Sequence, residues 1–94
     1  MRKGQRILDA ISTAAELPTE AAPGIPLVEL AGYRRVLIEN HRGVVQYTCS
    51  QIRIKVSFGE ISVQGSGLSL VRMTKAQLVI VGCIDEICVH RENR

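Results

Sequence analysis

The chain has no tryptophan, one phenylalanine (Phe58) and two tyrosines (Tyr33 and Tyr47). A sheet that grips single-stranded nucleic acid needs aromatic platforms for the bases, and here there are almost none. Any core must instead be built from Ile, Val and Leu. Cysteine is sparse and odd in number. Cys49, Cys83 and Cys88 cannot form a closed disulfide framework, and they read as small buried hydrophobes, reduced, in a cytoplasmic compartment. No apolar run approaches the roughly 18 residues of a membrane-spanning helix. The basic start Met1-Arg2-Lys3 is followed by a segment that Asp9, Ser12, Thr13 and Glu16 interrupt, so no secretory signal is expected.

Chemistry-bearing constellations are equally scarce. Of the two histidines, His41 sits in a turn-like Asn-His-Arg-Gly stretch and His90 near the end of the chain, and neither belongs to a nucleophile or metal motif. Cys83 and Cys88 fall on opposite faces of a regular strand, so they do not pair up as metal ligands unless a bulge between them corrects the phase. Asp85 and Glu86 are adjacent, and adjacent strand residues point apart, which denies them joint acid–base work. The glycines make neither a dinucleotide fingerprint nor a phosphate loop. The expectation is a protein with no catalytic residue, no cofactor and no metal, and not an enzyme.

What the chain does have is alternation. Ile52, Ile54 and Val56 alternate with Arg53, Lys55 and Ser57. Ile61 and Val63 follow, then Leu68 and Leu70, then Leu78 and Ile80, with glycines between the groups. A period of two marks strands with one buried face. Candidate strands are Leu27–Leu30, Arg35–Glu39, Val44–Thr48, Ile52–Ser57, Glu60–Gln64, Leu68–Arg72, Gln77–Val81 and Ile84–Val89. Asn40–Gly43, Phe58-Gly59 and Met73–Ala76 read as tight reversals. At Asp85-Glu86 the alternation slips by one place, which predicts a bulge. Gln77–Val81 is apolar at Val79 and Val81 as well as at Leu78 and Ile80, so both its faces should be covered, in the fold or in an interface.

Ahead of the strands, Ile7, Leu8, Ile11, Ala14 and Ala15 fall on one side of a helix running from Arg2 to Leu17, which Pro18 ends. Thr19–Pro26 is a linker with stiff Pro23-Gly24 and Pro26 joints. The organisation is therefore residues 1–26 helix and linker, 27–90 sheet domain, and 91–94 a polar tail. The fold class is mainly β: a short N-terminal helix, then an antiparallel β-meander of about six to eight short strands. A short β-solenoid-like stack is the alternative, because Ile61–Gly65 and Leu78–Gly82 are similar strand-then-glycine units.

With 94 residues and a formal charge of +3, the domain is small and mildly basic. Its core is modest, so copies of itself or a partner should help hide the apolar face. The exposed cations Arg35, Arg42, Arg53 and Lys55 are the candidate partner-binding residues, and Arg53 and Lys55 must share a strand face. The remaining positive charges are scattered, whereas a nucleic-acid binder concentrates them. A small basic nucleic-acid-binding domain is thus the alternative function, and nucleic acid the less expected partner. Arg2, Lys3 and Arg6 allow peripheral contact with an anionic membrane.

One set of residues is more specific. Arg35 to Gly43 (RVLIENHRG), Val45 to Thr48 (VQYT), Ile52 to Ile54, Gly59, Ile61, Gly65, Leu68, Met73 to Lys75 (MTK) and Leu78 to Gly82 (LVIVG) together resemble the YabP/YqfC family of sporulation proteins. The segment Ile38–Gly43 and the Met73–Lys75 turn are closest to the YqfC branch. The resemblance covers roughly Pro26 to Val89. It implies a non-enzymatic protein of the mother-cell programme in endospore-forming bacteria, found in the mother-cell cytoplasm or at a membrane periphery. A membrane protein of the same programme is the implied partner, beside self-association. It carries no catalytic residues over to this chain.

Overall fold

A computed structural model describes residues 24–92; the expected helix Arg2–Leu17 and most of the linker lie outside the described residues. Six strands follow one another: β1 Leu27–Ala31, β2 Arg35–Glu39, β3 Val44–Tyr47, β4 Gln51–Val56, β5 Gly59–Met73 and β6 Gln77–Arg91. They form one sheet in the order β1-β2-β6-β5-β4-β3. Every pairing is antiparallel, as expected for a meander and unlike a β-solenoid. From β3 to β6 the chain is a meander in sequence order, and the β1–β2 hairpin joins it through β2 against β6.

Two differences from the sequence reading share a cause. Glu60–Gln64 and Leu68–Arg72 are one strand, β5. Gln77–Val81 and Ile84–Val89 are likewise one strand, β6, which continues through His90 and Arg91 opposite Glu60 and Gly59. The glycines between them bend the strands instead of ending them. Gly65 lies so close to the backbone of Cys83 that a Cβ would overlap its carbonyl oxygen, and at Gly82 a Cβ would strike Gly67 and Leu68 while φ is +142°. Only glycine permits such an approach. The predicted bulge is present: Gln64 pairs with Glu86 and Gly65 with Ile84, leaving Asp85 as the extra residue. It keeps Ile87 on the same face as Ile84 despite the odd spacing.

The bends coil the sheet. Laid flat, a hairpin of 15-residue strands would hold its ends roughly 45 Å apart. Here the ends meet on one short arch. The Asn40 N–H donates to the Ala76 carbonyl (2.6 Å), and the Arg42 N–H donates to the Lys55 carbonyl (2.7 Å). Asn40–Gly43 is therefore not a hairpin. Its flanking strands β2 and β3 are not neighbours, and it crosses between the two halves of the coil. Asn40 adopts φ 64°, a left-handed conformation that asparagine tolerates.

The inner faces of the two halves meet in one aliphatic cluster. Val36, Ile38, Leu78, Ile80 and Leu68 come from the half containing β1 and β2. Ile52, Ile54, Val56, Ile61, Val63 and Ile84 come from the other half. Strand alternation selects most of this set, because cross-strand partners such as Ile54 and Ile61, or Val36 and Ile80, must share a face. Leu68 joins it through the register shift between Ser66 and Ser69, which reverses the parity of β5.

Candidate interaction surface

Every strand that contributes to the core also has an outer face, and the two halves present different ones. On the β3–β4 half, cross-strand register lines up Gln46, Arg53, Ser62 and Cys88, with Lys55, Glu60 and His90 in the next row. These groups satisfy one another. Arg53 donates from Nε to Glu60 Oε1 (2.9 Å), from its second terminal nitrogen to Oε2 (3.1 Å), and from the other to Gln46 Oε1 (3.1 Å). Such a forked pair favours both charges. The hydrogen bond to Arg53 holds the Glu60 carboxyl below its ordinary range, with the charges of Arg53, His90 and Lys55 adding to the effect. The same bond raises Arg53. Ser62, buried, lies 3.3 Å from His90 Nε2. The Cys88 thiol donates to Glu86 (3.5 Å), a bond that raises its pKa and quietens it as a nucleophile.

On the β1–β2 half the outer rows run Ala31, Arg35, Val81, Ser69 and then Glu29, Leu37, Val79, Arg72. Their centre is apolar and their ends are polar or charged. Val79 is only 5% exposed, so the second apolar face read in Gln77–Val81 is real, and Leu37 extends it. A shallow groove of about 210 Å³ opens beside β1, lined by Glu29, Leu30, Ala31, Arg35 and Leu37.

The four predicted cations are thereby divided. Arg53 and Lys55 do share a face, but Arg53 is consumed by Glu60 and Gln46, and Lys55 stands 3.9 Å from Glu92 at the surface. Arg35 lies on the other half, beside the groove, and Arg42 sits on the arch. Among the described residues neither makes an ion pair. No single basic patch unites the four.

His41 is the residue whose role the sequence does not disclose. It is 8% exposed. The Gly43 N–H donates to its Nδ1 (3.0 Å), which leaves Nε2 to carry the proton and donate to the Thr74 carbonyl (2.9 Å). The ring thus clamps the arch to the β5–β6 turn. Among the described residues no three His, Cys, Asp or Glu side chains are grouped to hold a metal ion, and no helix there is long and apolar enough to cross a membrane.

Among the described residues the sheet has two edge strands. β3 is short and bulged, its register against β4 shifting between Val44 and Gln46. β1 pairs with β2 without interruption, from Leu27 opposite Glu39 to Ala31 opposite Arg35. The direction of its free groups follows from two bonds. The Arg34 carbonyl accepts from the Gly82 N–H (3.1 Å), and the Asn40 N–H donates to Ala76, so even-numbered residues of β2 turn to β6. The odd ones turn to β1, where they meet Leu27, Glu29 and Ala31. Val28 and Leu30 are left with their N–H and C=O directed outward.

Among the described residues, these features define a class: a small, mainly β module with a coiled antiparallel sheet, one sealed polar face and one edge left uncovered by them. The chain belongs to the YabP family, which matches it over residues 26–94. It is also 22% identical over 77 residues to the "Uncharacterized protein YqfC" of Bacillus subtilis (strain 168), covering 82% of this chain and 83% of that one. No solved structure matches.

Proposed function

We propose that this protein is a non-enzymatic interaction module of endospore formation. It acts in the mother cell by assembling with its own copies or with a membrane protein of the same programme. Family membership supports the sporulation setting. The observation that carries the interaction role is the β1 edge: a regular, largely apolar strand whose outward backbone groups have no partner among the described residues. Such edges are usually blunted by charge, proline or a bulge, and otherwise accept another strand. β1 bears one charge, Glu29, and no bulge.

Light scattering on the full chain over a wide concentration range tests the self-assembly role; assembly is expected, and a strict monomer at the highest concentration contradicts it. A fluorescent fusion in the sporulating host tests the setting. Signal confined to the mother cell is expected. Signal in growing cells or in the forespore contradicts it.

A further inference from the structure

The geometry points to a particular occupant for the β1 edge: β1 of a second copy, antiparallel about a two-fold axis through Leu30. The inference rests on the interaction role proposed above and specifies its contact.

Of the two-fold registers that keep inner and outer faces continuous, three pair at least three residues of β1, and the side chains separate them. Centring on Glu29 sets Glu29 against Glu29 of the second copy, like charges directly opposed. Centring on Val28 sets Leu30 opposite Pro26, which has no N–H to give to the outward carbonyl of Leu30. Centring on Leu30 removes both objections. The two Leu30 residues then exchange N–H and C=O groups, since these already point outward. Their side chains meet on the inner face, which covers a residue now 52% exposed. Val28 falls opposite Gly32, which carries no side chain.

The charges agree with this register. Glu29 of each copy falls opposite Ala31 of the other, and Ala31 is already the cross-strand neighbour of Arg35. The backbones of Arg35 and the incoming Glu29 are then two strand spacings apart, about 10 Å. Only the methyl of Ala31 lies between them, and a long guanidinium reaches over it. Two equivalent Glu29–Arg35 ion pairs result, one on each side of the axis, each in the groove lined by Glu29, Leu30, Ala31, Arg35 and Leu37. The contact is isologous and closes as a dimer.

The test is sedimentation equilibrium on the full chain and its variants, with circular dichroism as the control for folding. Leu30→Pro removes an N–H that points away from β2, so the β1–β2 ladder keeps all its bonds; dimer affinity should fall by more than about tenfold. Glu29→Lys and Arg35→Glu should each weaken the dimer roughly three- to tenfold, and the double variant should return to within about twofold of the parent. If Leu30→Pro fails to fold, the charge exchange decides alone. A dimer that ignores the folded proline variant, or single charge variants that the double variant does not rescue, overturns this contact and leaves assembly standing through another surface. A strict monomer overturns the contact and the self-assembly reading together.

Discussion

β1 and β3 bound the same sheet and are finished in opposite ways. β3 is short, shifts register against β4, and flanks a face on which Gln46, Arg53 and Glu60 already satisfy one another. β1 is regular and flanks a face with an apolar centre and an Arg35 that makes no ion pair among the described residues. A bulge and a closed polar network make a surface finished on its own. An unbroken ladder beside Leu37, Val79 and Val81 makes one that gains by being covered. The contrast teaches that scattered cations are a poor guide to a binding surface, because what matters is which of them the fold has already used.

The comparison breaks most readily at the corner that joins the two halves. Gly82→Val puts branched carbon against Gly67 and Leu68 at φ +142°, and should cost about 3 kcal/mol or more in urea unfolding. A variant as stable as the parent would show that β6 does not turn there. His41→Ala comes next. It unties the arch from the β5–β6 turn and leaves the Gly43 N–H and the Thr74 carbonyl without their partner, a loss of about 1–3 kcal/mol. An unchanged denaturation midpoint would remove the clamp from the account.

A smaller effect sharpens the view of the sealed face. The carboxyl of Glu60 is held below its ordinary value in the folded chain. Its contribution is therefore present above the range where an unfolded glutamate titrates, about pH 4.3, and is lost as pH falls through the folded value. Glu60→Gln should melt below the parent at pH 7, and the gap should narrow towards pH 3. A gap that stays constant would mean that the pair with Arg53 contributes nothing.

Much of the fold was legible in single residues. The alternation of Ile52, Ile54 and Val56 identified the inner face of β4, and the slip at Asp85 located a bulge. The glycines misled, because Gly65 and Gly82 look like turn residues whether a strand stops or bends. Asn40–Gly43 misled for a related reason: turn-forming residues reverse or redirect a chain without stating which strands they join. Of the candidate surface, the shared face of Arg53 and Lys55 could be read, but not their neutralisation. The chain reverses at Ser57-Phe58, one residue before the Phe58-Gly59 turn that the sequence suggests, and that shift is what sets Lys55 opposite Glu60 and leaves Arg53 on the diagonal. The open edge could not be read, since strand order depends on contacts far apart in the chain, such as β2 against β6.

The central claim is that β1, and not β3, is the edge that accepts a strand. Amide hydrogen exchange at low and high protein concentration tests it directly. Protection should rise with concentration at Val28 and Leu30 while the amides of β3 stay unchanged. Unchanged exchange at Leu30, or new protection on β3 instead, would contradict the account.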